Sequence, residues 1–195
     1  IVFANTAAVN AGNLVFDNDL HDSAIEDGVQ WVQDFNAPNP GTVTNNMGTI
    51  VRGNRIYGNR ENACDLKGAR NVVIENNLIW GTFGSNNGEL NGWNRSAFTA
   101  ISKGANADAY HVIIRGNVLM DNSNGIMAHN DYKIYHNVIV NNRHDYTGSN
   151  STYSTNAFHG VYQREDNLGG TLVIKNNIIG GHTYAQIRLR ISGTN

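Results

Sequence analysis

A short phrase with asparagine at its centre, apolar-x-x-Asn-x-apolar, recurs along the chain. Its copies at 50–59, 73–81, 113–122, 134–142 and 173–181, with a weaker one at 14–22, are centred on Asn54, Asn77, Asn117, Asn137, Asn177 and Asn18. These asparagines are separated by 36, 23, 40, 20 and 40 residues, which indicates a unit of about 20 residues with loops inserted into some copies. A unit this short cannot bury its own apolar face, so it has to stack on its neighbours in a solenoid.

Each copy begins with alternating apolar residues, as at Val72 and Ile74 or at Val112 and Ile114. Period-two alternation of β-branched residues is typical of a strand rather than a helix. The asparagine then falls at the bend where a second strand begins. Identical asparagines on successive coils would either hydrogen-bond to one another as a ladder or simply supply the turn geometry, and both interpretations lead to the same fold.

A further strand segment follows the two that flank the asparagine. The segments align as 28–31, 63–66, 100–103, 125–128, 160–163 and 186–189. Alternation predicts that these side chains point inward: Val29, Cys64, Ile101, Ile126, Val161 and Ile187. The residues that follow them would form an outward column of Gln30, Asp65, Ser102, Met127, Tyr162 and Arg188. A second outward column would hold Lys67, His129, Arg164 and Arg190.

The chain of 195 residues is predicted to be a single solenoid domain over 1–195, and an excised or processed piece of a longer protein. Insertions are expected near 33–48, 82–95 and 143–155. The last two leave the coil at the same corner, where they would form the walls of a binding groove. Trp93, Tyr146 and Tyr153 would offer aromatic platforms for a sugar there or pack the loops themselves.

The amino-acid composition limits the classes of binding partner. Charged residues are 15% of the chain and the net charge is −2, so neither nucleic acid nor a membrane surface is favoured. Asparagine (32 residues) and glycine (21) are abundant, as expected for a coil with many left-handed backbone positions. The single cysteine, Cys64, rules out an internal disulfide, and no segment reaches the ~18 apolar residues of a membrane span. A monomer that is secreted or at the cell surface is expected.

Carboxylates cluster in two neighbouring coils. Glu61 and Asp65 lie at a bend and in the strand after it, and Glu26 and Asp27 precede the equivalent strand one coil earlier. Since stacked strands are about 4.8 Å apart, these groups would converge from two coils. Oxygen ligands of this kind suit Ca²⁺. The competing interpretation is that the glutamates are solvated bend residues.

Lys103 ends the predicted strand segment of the next coil and would lie one coil from Asp65. A lysine beside carboxylates is most often an ion pair, but a desolvated lysine can serve as a base because its pKa shifts readily. Lys67 is the alternative candidate for that role.

The repeats resemble right-handed parallel β-helix proteins of the pectate-lyase-like superfamily over nearly all of 13–190. A narrower resemblance, to the family 9 polysaccharide lyases, rests on the segment 59–66 (NRENACDL). It implies a right-handed, single-stranded parallel β-helix of about six to seven coils. It also implies Ca²⁺ held by Glu61 and Asp65 with Glu26 or Asp27, and Lys103 as the base. Two positions depart from the family motif, since Glu61 replaces an Asp and Asn62 replaces the second acid.

The activity implied by this resemblance is β-elimination on a uronate-containing, pectate-like polysaccharide. Ca²⁺ would neutralise the substrate carboxylate and Lys103 would abstract the C5 proton. Residues of the outward columns would attract the acidic polymer: Lys67, His129, Arg164, Arg188 and Arg190. The same columns would otherwise be solvated sheet faces.

Two other functions fit the same fold. A non-catalytic carbohydrate-binding or structural β-helix, as in an adhesin, a surface protein or a spike, needs no reactive cluster. A glycoside hydrolase needs carboxylates about 5–9.5 Å apart, for which Asp65 with Asp108 or Asp121 is the candidate set.

Overall fold

The computed structural model describes residues 1–4, 12–23, 27–32, 48–59, 61–66, 69–82, 96–99, 111–128, 131–142, 159–163, 171–183 and 185–189. At 2–4, 32 and 96–99 it describes the backbone alone. The insertions predicted near 33–48, 82–95 and 143–155 fall outside these ranges, apart from Gly48 and Thr82. The described elements are all β-strands, and each pairs in parallel with the strands three before and three after it in chain order.

The strands form three parallel sheets. Sheet A contains β1 (Val2–Ala4), β4 (Val29–Val32), β7 (Cys64–Leu66), β10 (Ser96–Thr99), β13 (Asn124–Ala128), β16 (His159–Gln163) and β19 (Ala185–Arg188). Sheet B contains β2 (Leu14–Phe16), β5 (Ile50–Arg52), β8 (Val73–Glu75), β11 (Val112–Arg115), β14 (Tyr132–Tyr135) and β17 (Val173–Lys175). Sheet C contains β3 (Asp19–His21), β6 (Arg55–Tyr57), β9 (Leu78–Trp80), β12 (Val118–Met120), β15 (Val138–Val140) and β18 (Ile178–Gly180).

The all-β, all-parallel arrangement is consistent with the predicted parallel β-solenoid. One strand of each sheet is contributed in turn, B then C then A, before the chain returns to sheet B one strand further along. No described segment is a helix long and apolar enough to cross a lipid bilayer.

The core lies between the three sheets. It is formed by the inward positions of successive strands, such as Val51, Ile74 and Ile114 on sheet B, all fully buried and in register. Ile56, Ile79 and Leu119 do the same on sheet C. Each inward side chain therefore packs on its counterpart in the coils before and after it, as the period-two alternation predicts.

An asparagine ladder closes the corner between sheets B and C. The backbone N–H and the side-chain Nδ2 of Asn77 both donate to Oδ1 of Asn117, each at 2.9 Å. Asn117 donates to Oδ1 of Asn137 in the same way, at 3.0 Å. Its Nδ2 also lies 3.0 Å from the carbonyl oxygen of Ile74, one coil back. The ladder interpretation of the recurring asparagine is thus confirmed, from Asn18 to Asn177.

The residue before each ladder asparagine has a left-handed backbone. At Gly53 and Gly116 φ is 69° and 64°, and at Asn76 and His136 it is 56°. A Cβ at Gly116 would lie 2.4 Å from Oδ1 of Asn76. Glycine and asparagine tolerate this conformation at low cost, which explains part of their abundance in the chain.

A second ladder follows the first by five residues, at the end of sheet C. The backbone N–H of Asn122 donates to Oδ1 of Asn142 at 3.0 Å, and that of Thr82 donates to Oδ1 of Asn122 at 3.1 Å. His182 takes the last position, where its Nδ1 accepts from the N–H of Asn142 at 3.2 Å. Burial lowers the pKa of His182, which favours the neutral ring that this acceptor role requires.

The outer face of sheet B carries a buried glutamate between two arginines. Arg52, Glu75 and Arg115 occupy one register position on β5, β8 and β11. Nε of Arg52 donates to Oε1 of Glu75 at 2.6 Å, and Nε of Arg115 donates to Oε2 at 2.5 Å. Burial would raise the pKa of Glu75, but the hydrogen bonds and charges of Arg115 and Arg52 outweigh it and hold that pKa below its ordinary value.

The outer face of sheet C carries a stack of rings. The rings of His21 and Tyr57 are 4.8 Å apart and nearly parallel, and those of Tyr57 and Trp80 are 4.3 Å apart with an angle of 9° between them. Because Tyr57 stacks on a neighbour at each face, its ring presents only an edge to solvent. A sugar that needs an open ring face therefore finds none on Tyr57.

The first prediction concerns the asparagine ladder. Replacing Asn117 with Ala should lower the free energy of unfolding by about 3–5 kcal/mol, because it removes several buried hydrogen bonds and leaves donors and acceptors unsatisfied. Urea denaturation would measure the loss.

The matched control is Asn18→Ala, at the exposed end of the same ladder. Water can replace the lost partners there, so the loss should be about 1 kcal/mol or less. Equal losses for the two variants would contradict the proposed role of burial.

The second prediction concerns Glu75. Its folded-state pKa lies below the ordinary value of 4.5, so its stabilising contribution is complete above that pH and is lost as the pH falls through the lowered value. The stability advantage of the parent chain over Glu75→Gln, measured by urea denaturation, should therefore shrink from pH 7 to pH 3. A difference that does not change with pH would show that the carboxylate charge contributes nothing.

Candidate functional site

The outer face of sheet A is where the predicted site residues meet. Gln30 pairs with Asp65, and further along the sheet Met127 pairs with Tyr162 and Tyr162 with Arg188. The predicted register is thus confirmed at these five positions. Asp65, Met127 and Tyr162 are nevertheless buried, with exposed fractions of 0%, 1% and 3%. The middle of this face is therefore shielded from solvent, while Gln30 and Arg188 remain partly accessible.

One strand of the column differs from the prediction. The strand next to β7 is β10, in which Phe98 pairs with Cys64 and Thr99 pairs with Asp65. The prediction that Ile101 and Ser102 occupy these positions is wrong. Phe98–Thr99 and Ile101–Ser102 both place an apolar residue before a hydroxyl residue. The long insertion before them removes the spacing that would have distinguished the two registers.

Asp65 lies on β7 with Gln30 on one side and Thr99 on the other. Its neighbour Cys64 points the opposite way and belongs to the core. Burial, and then the charges of Asp27 and Asp65, raise the pKa of the Cys64 thiol well above its ordinary value. The thiol is therefore inert, and both carboxylates lie close enough to influence it.

Asp27 joins the two coils at the start of sheet A. Its Oδ1 accepts from the backbone N–H of Asn62 at 2.9 Å and from Nδ2 of the same residue at 2.8 Å. Its Oδ2 accepts from Nε2 of Gln30 at 3.0 Å. The carboxylate is 7% exposed, so these hydrogen bonds replace most of its lost hydration.

Further along sheet A, the corner that holds Asp27 and Asn62 contains two residues that were not predicted as site residues. The backbone N–H of His159 donates to Oδ1 of Asn124 at 3.0 Å, and both residues are buried. The signal was present, since a polar residue stands two positions before the inward residue in each of these segments, as at Asp27, Asn62 and Asn124.

Arg188 and Tyr162 form the basic end of the column. The guanidinium carbon of Arg188 lies 5.4 Å from the centre of the Tyr162 ring, within cation–π range. On its other side Tyr162 contacts the ring of His159, with 5.3 Å between the ring centres. Arg188 is only half-buried, so solvent reaches part of this residue.

The remaining predicted site residues fall outside the described ranges: Glu26, Lys67, Lys103, His129, Arg164 and Arg190. Their roles stay predictions. Glu61 is described and half-buried, next to Asn62.

Within the described ranges, no three His, Cys, Asp or Glu side chains are grouped closely enough to hold a metal ion. Asp27, Glu61 and Asp65 therefore do not make such a group by themselves. The donor chemistry still suits Ca²⁺, since all are carboxylates. Asp27 already accepts three hydrogen bonds from Asn62 and Gln30.

A polar pocket of about 300 Å³ opens beside Asp27 at the first coils. Asp19, His21, Ser23 and Asn59 contribute to its walls. Asp27 thus borders solvent at this pocket, whereas Asp65 does not.

Comparison of the chain with protein-family models, with curated proteins and with solved structures finds no match. The residues of the candidate site are therefore the basis for a proposed function.

Proposed function

We propose that this chain is a polysaccharide lyase that cleaves a uronate-containing, pectate-like polymer by Ca²⁺-assisted β-elimination. In this proposal it is one right-handed, single-stranded β-helix of about six to seven coils, related to the pectate-lyase-like superfamily and most similar to the family 9 lyases. It would act as a secreted or cell-surface monomer.

The observation that supports the proposal is the outer column of sheet A. This column joins an acidic position, Asp65, to the Tyr162–Arg188 pair through consecutive parallel strands in register. A half-buried arginine fixed on an aromatic ring is well suited to hold a carboxylate, because its planar donors are already oriented. A uronate polymer lying along the solenoid axis would meet Arg188 directly, because it is the accessible member of this pair of features.

In this proposal Lys103, four residues after Thr99, takes the C5 proton of the bound uronate. A C4=C5 double bond then forms as the C4–O glycosidic bond breaks, and the oxygen of the released chain takes a proton from water. Lysine can act as a base only when desolvation or nearby positive charge lowers its pKa. The polymer would be held by Arg188 together with Lys67, His129, Arg164 and Arg190.

Glu26, Asp27, Glu61 and Asp65 would hold the metal ion. Ca²⁺, when bound, would neutralise the substrate carboxylate and so stabilise the enolate-like transition state.

A second candidate is a carbohydrate-binding solenoid without catalysis. The burial of Asp65 and the hydrogen bonds of Asp27 favour it, because both features also fit carboxylates that are purely structural. The hydrolase receives no such support. Asp121 is exposed in the turn after sheet C, whereas Asp65 lies on sheet A, and the alternative partner Asp108 lies outside the described residues.

The test is a panel of polyuronates incubated with the chain in Ca²⁺ or in chelator, following the ultraviolet absorbance of new double bonds. The lyase should produce unsaturated ends in Ca²⁺ only. Asp65→Asn and Lys103→Ala should lower the rate about a hundredfold or more, since each removes a group from the reacting centre.

The matched control is Asp121→Asn, an exposed Asp at φ 53°, a backbone conformation that Asn adopts equally well. It should leave the rate unchanged. Binding of a polyuronate without new absorbance would support the non-catalytic candidate, and chain cleavage without absorbance would support the hydrolase.

A further inference from the structure

The outer face of sheet B concentrates positive charge. Its described outward residues include Arg52, Arg115, Lys133 and Lys175, here called the basic strip, against the single carboxylate of Glu75. Arg52, Arg115 and Lys175 occupy one register column, on β5, β11 and β17. Since neighbouring strands are about 4.8 Å apart, these three cations repeat at about 10 Å along the solenoid axis.

Glu75 fixes the geometry of the strip. It receives Nε of Arg52 and Nε of Arg115 on its two oxygens, and its side chain is only 5% exposed. The two arginine side chains both stay 45% exposed. The glutamate therefore orients two guanidinium groups and cancels only one of their charges. Both groups keep N–H donors that can reach an external anion.

An aliphatic column runs beside the basic strip. Ile50, Val73, Ile113 and Val173 share the next outward register position on the same strands, and all are half-buried. Lys133 stands in this column between Ile113 and Val173. The face thus offers an apolar column, interrupted by Lys133, beside a column that holds Arg52, Arg115 and Lys175. Both columns run parallel to the axis.

We propose that this face binds a linear anionic polysaccharide along the solenoid axis, at a site separate from the outer face of sheet A. The carboxylates of the polymer lie on the basic strip and the C–H faces of its sugars lie on the aliphatic column. The inference rests on the proposed function for the choice of polymer, but uses none of the residues of that site.

Charge and shape favour this partner over a nucleic acid. Arg52 and Arg115 already share the carboxylate of Glu75, so the basic strip has a moderate density of positive charge. The net charge of the whole chain is −2. Nucleic-acid-binding surfaces are much more strongly basic. The column beside the cations is mainly aliphatic, although Phe16 and Tyr135 stand in the cation column itself.

The experiment measures binding of polygalacturonate by the full chain, at low and high salt, with neutral dextran as the uncharged comparison. The parent chain should bind polygalacturonate with strong salt dependence and should not bind dextran. Lys175→Gln should weaken binding by about threefold, and Lys133→Gln with Lys175→Gln by about tenfold, since exposed ionic contacts contribute modestly. Neither change touches the Glu75 cluster, so folding should be intact.

The matched control is Arg55→Gln, which removes one exposed positive charge on sheet C and should leave the affinity unchanged. A triple change of Arg52, Glu75 and Arg115 to Gln tests the clamp and should also weaken binding about tenfold. Unchanged affinity in the double lysine variant, or the same loss in Arg55→Gln, would overturn the inference. Tighter binding of single-stranded DNA than of polygalacturonate would overturn the choice of ligand.

The two proposals fail separately. Binding that depends on Lys133 and Lys175, without any cleavage, leaves this inference standing and rejects the lyase. Cleavage by a chain whose affinity for polygalacturonate does not depend on either lysine supports the lyase and rejects this inference.

Discussion

The rest of the structure depends on buried asparagine amides that hold each coil to the next. In each interior coil, Oδ1 of one asparagine accepts two hydrogen bonds from the coil before it, and its Nδ2 donates back to a main-chain carbonyl. A buried amide is costly unless all its groups are paired, so a slip of one residue in register would leave several donors and acceptors unsatisfied. The ladder thus sets the register for all three sheets.

A fixed register turns residues far apart in sequence into neighbours on one face. Arg52 and Arg115 are 63 positions apart, yet both contact Glu75. The three outer faces consequently differ in chemistry: sheet A gathers Asp65 with the Tyr162–Arg188 pair, sheet B a basic strip, and sheet C stacked rings. We propose that two of the three bind an acidic polymer that runs along the axis. Sheet A contributes Asp65 and Arg188, whereas sheet B contributes cations that Glu75 orients.

Much of this fold could be predicted from the sequence because the ladder asparagine marks each coil directly. Where a strand lies close to a ladder asparagine, the register of its residues could be predicted from that asparagine, as for Cys64 and Asp65. The register was predicted wrongly at 96–103, where an insertion separates the strand from its asparagine and two similar apolar–hydroxyl pairs compete. The second ladder was missed although Asn59, Asn122 and Asn142 each follow a first-ladder asparagine by five residues. The Glu75 cluster was missed because its members are adjacent only after stacking, and six of the predicted site residues lie outside the described ranges.

In-register stacking is tested most directly by a designed disulfide between successive coils. Leu78 and Val118 are outward partners on β9 and β12, and neighbouring strands bring their Cα atoms about 5 Å apart, within disulfide range. With Leu78→Cys and Val118→Cys combined, mild oxidation should give a nearly complete disulfide in the native chain, since the buried Cys64 does not compete. The pair Leu78→Cys with Leu119→Cys should not form one, because Leu119 points into the core. Equal cross-linking of both pairs, or of neither, would contradict the register on which the account is built.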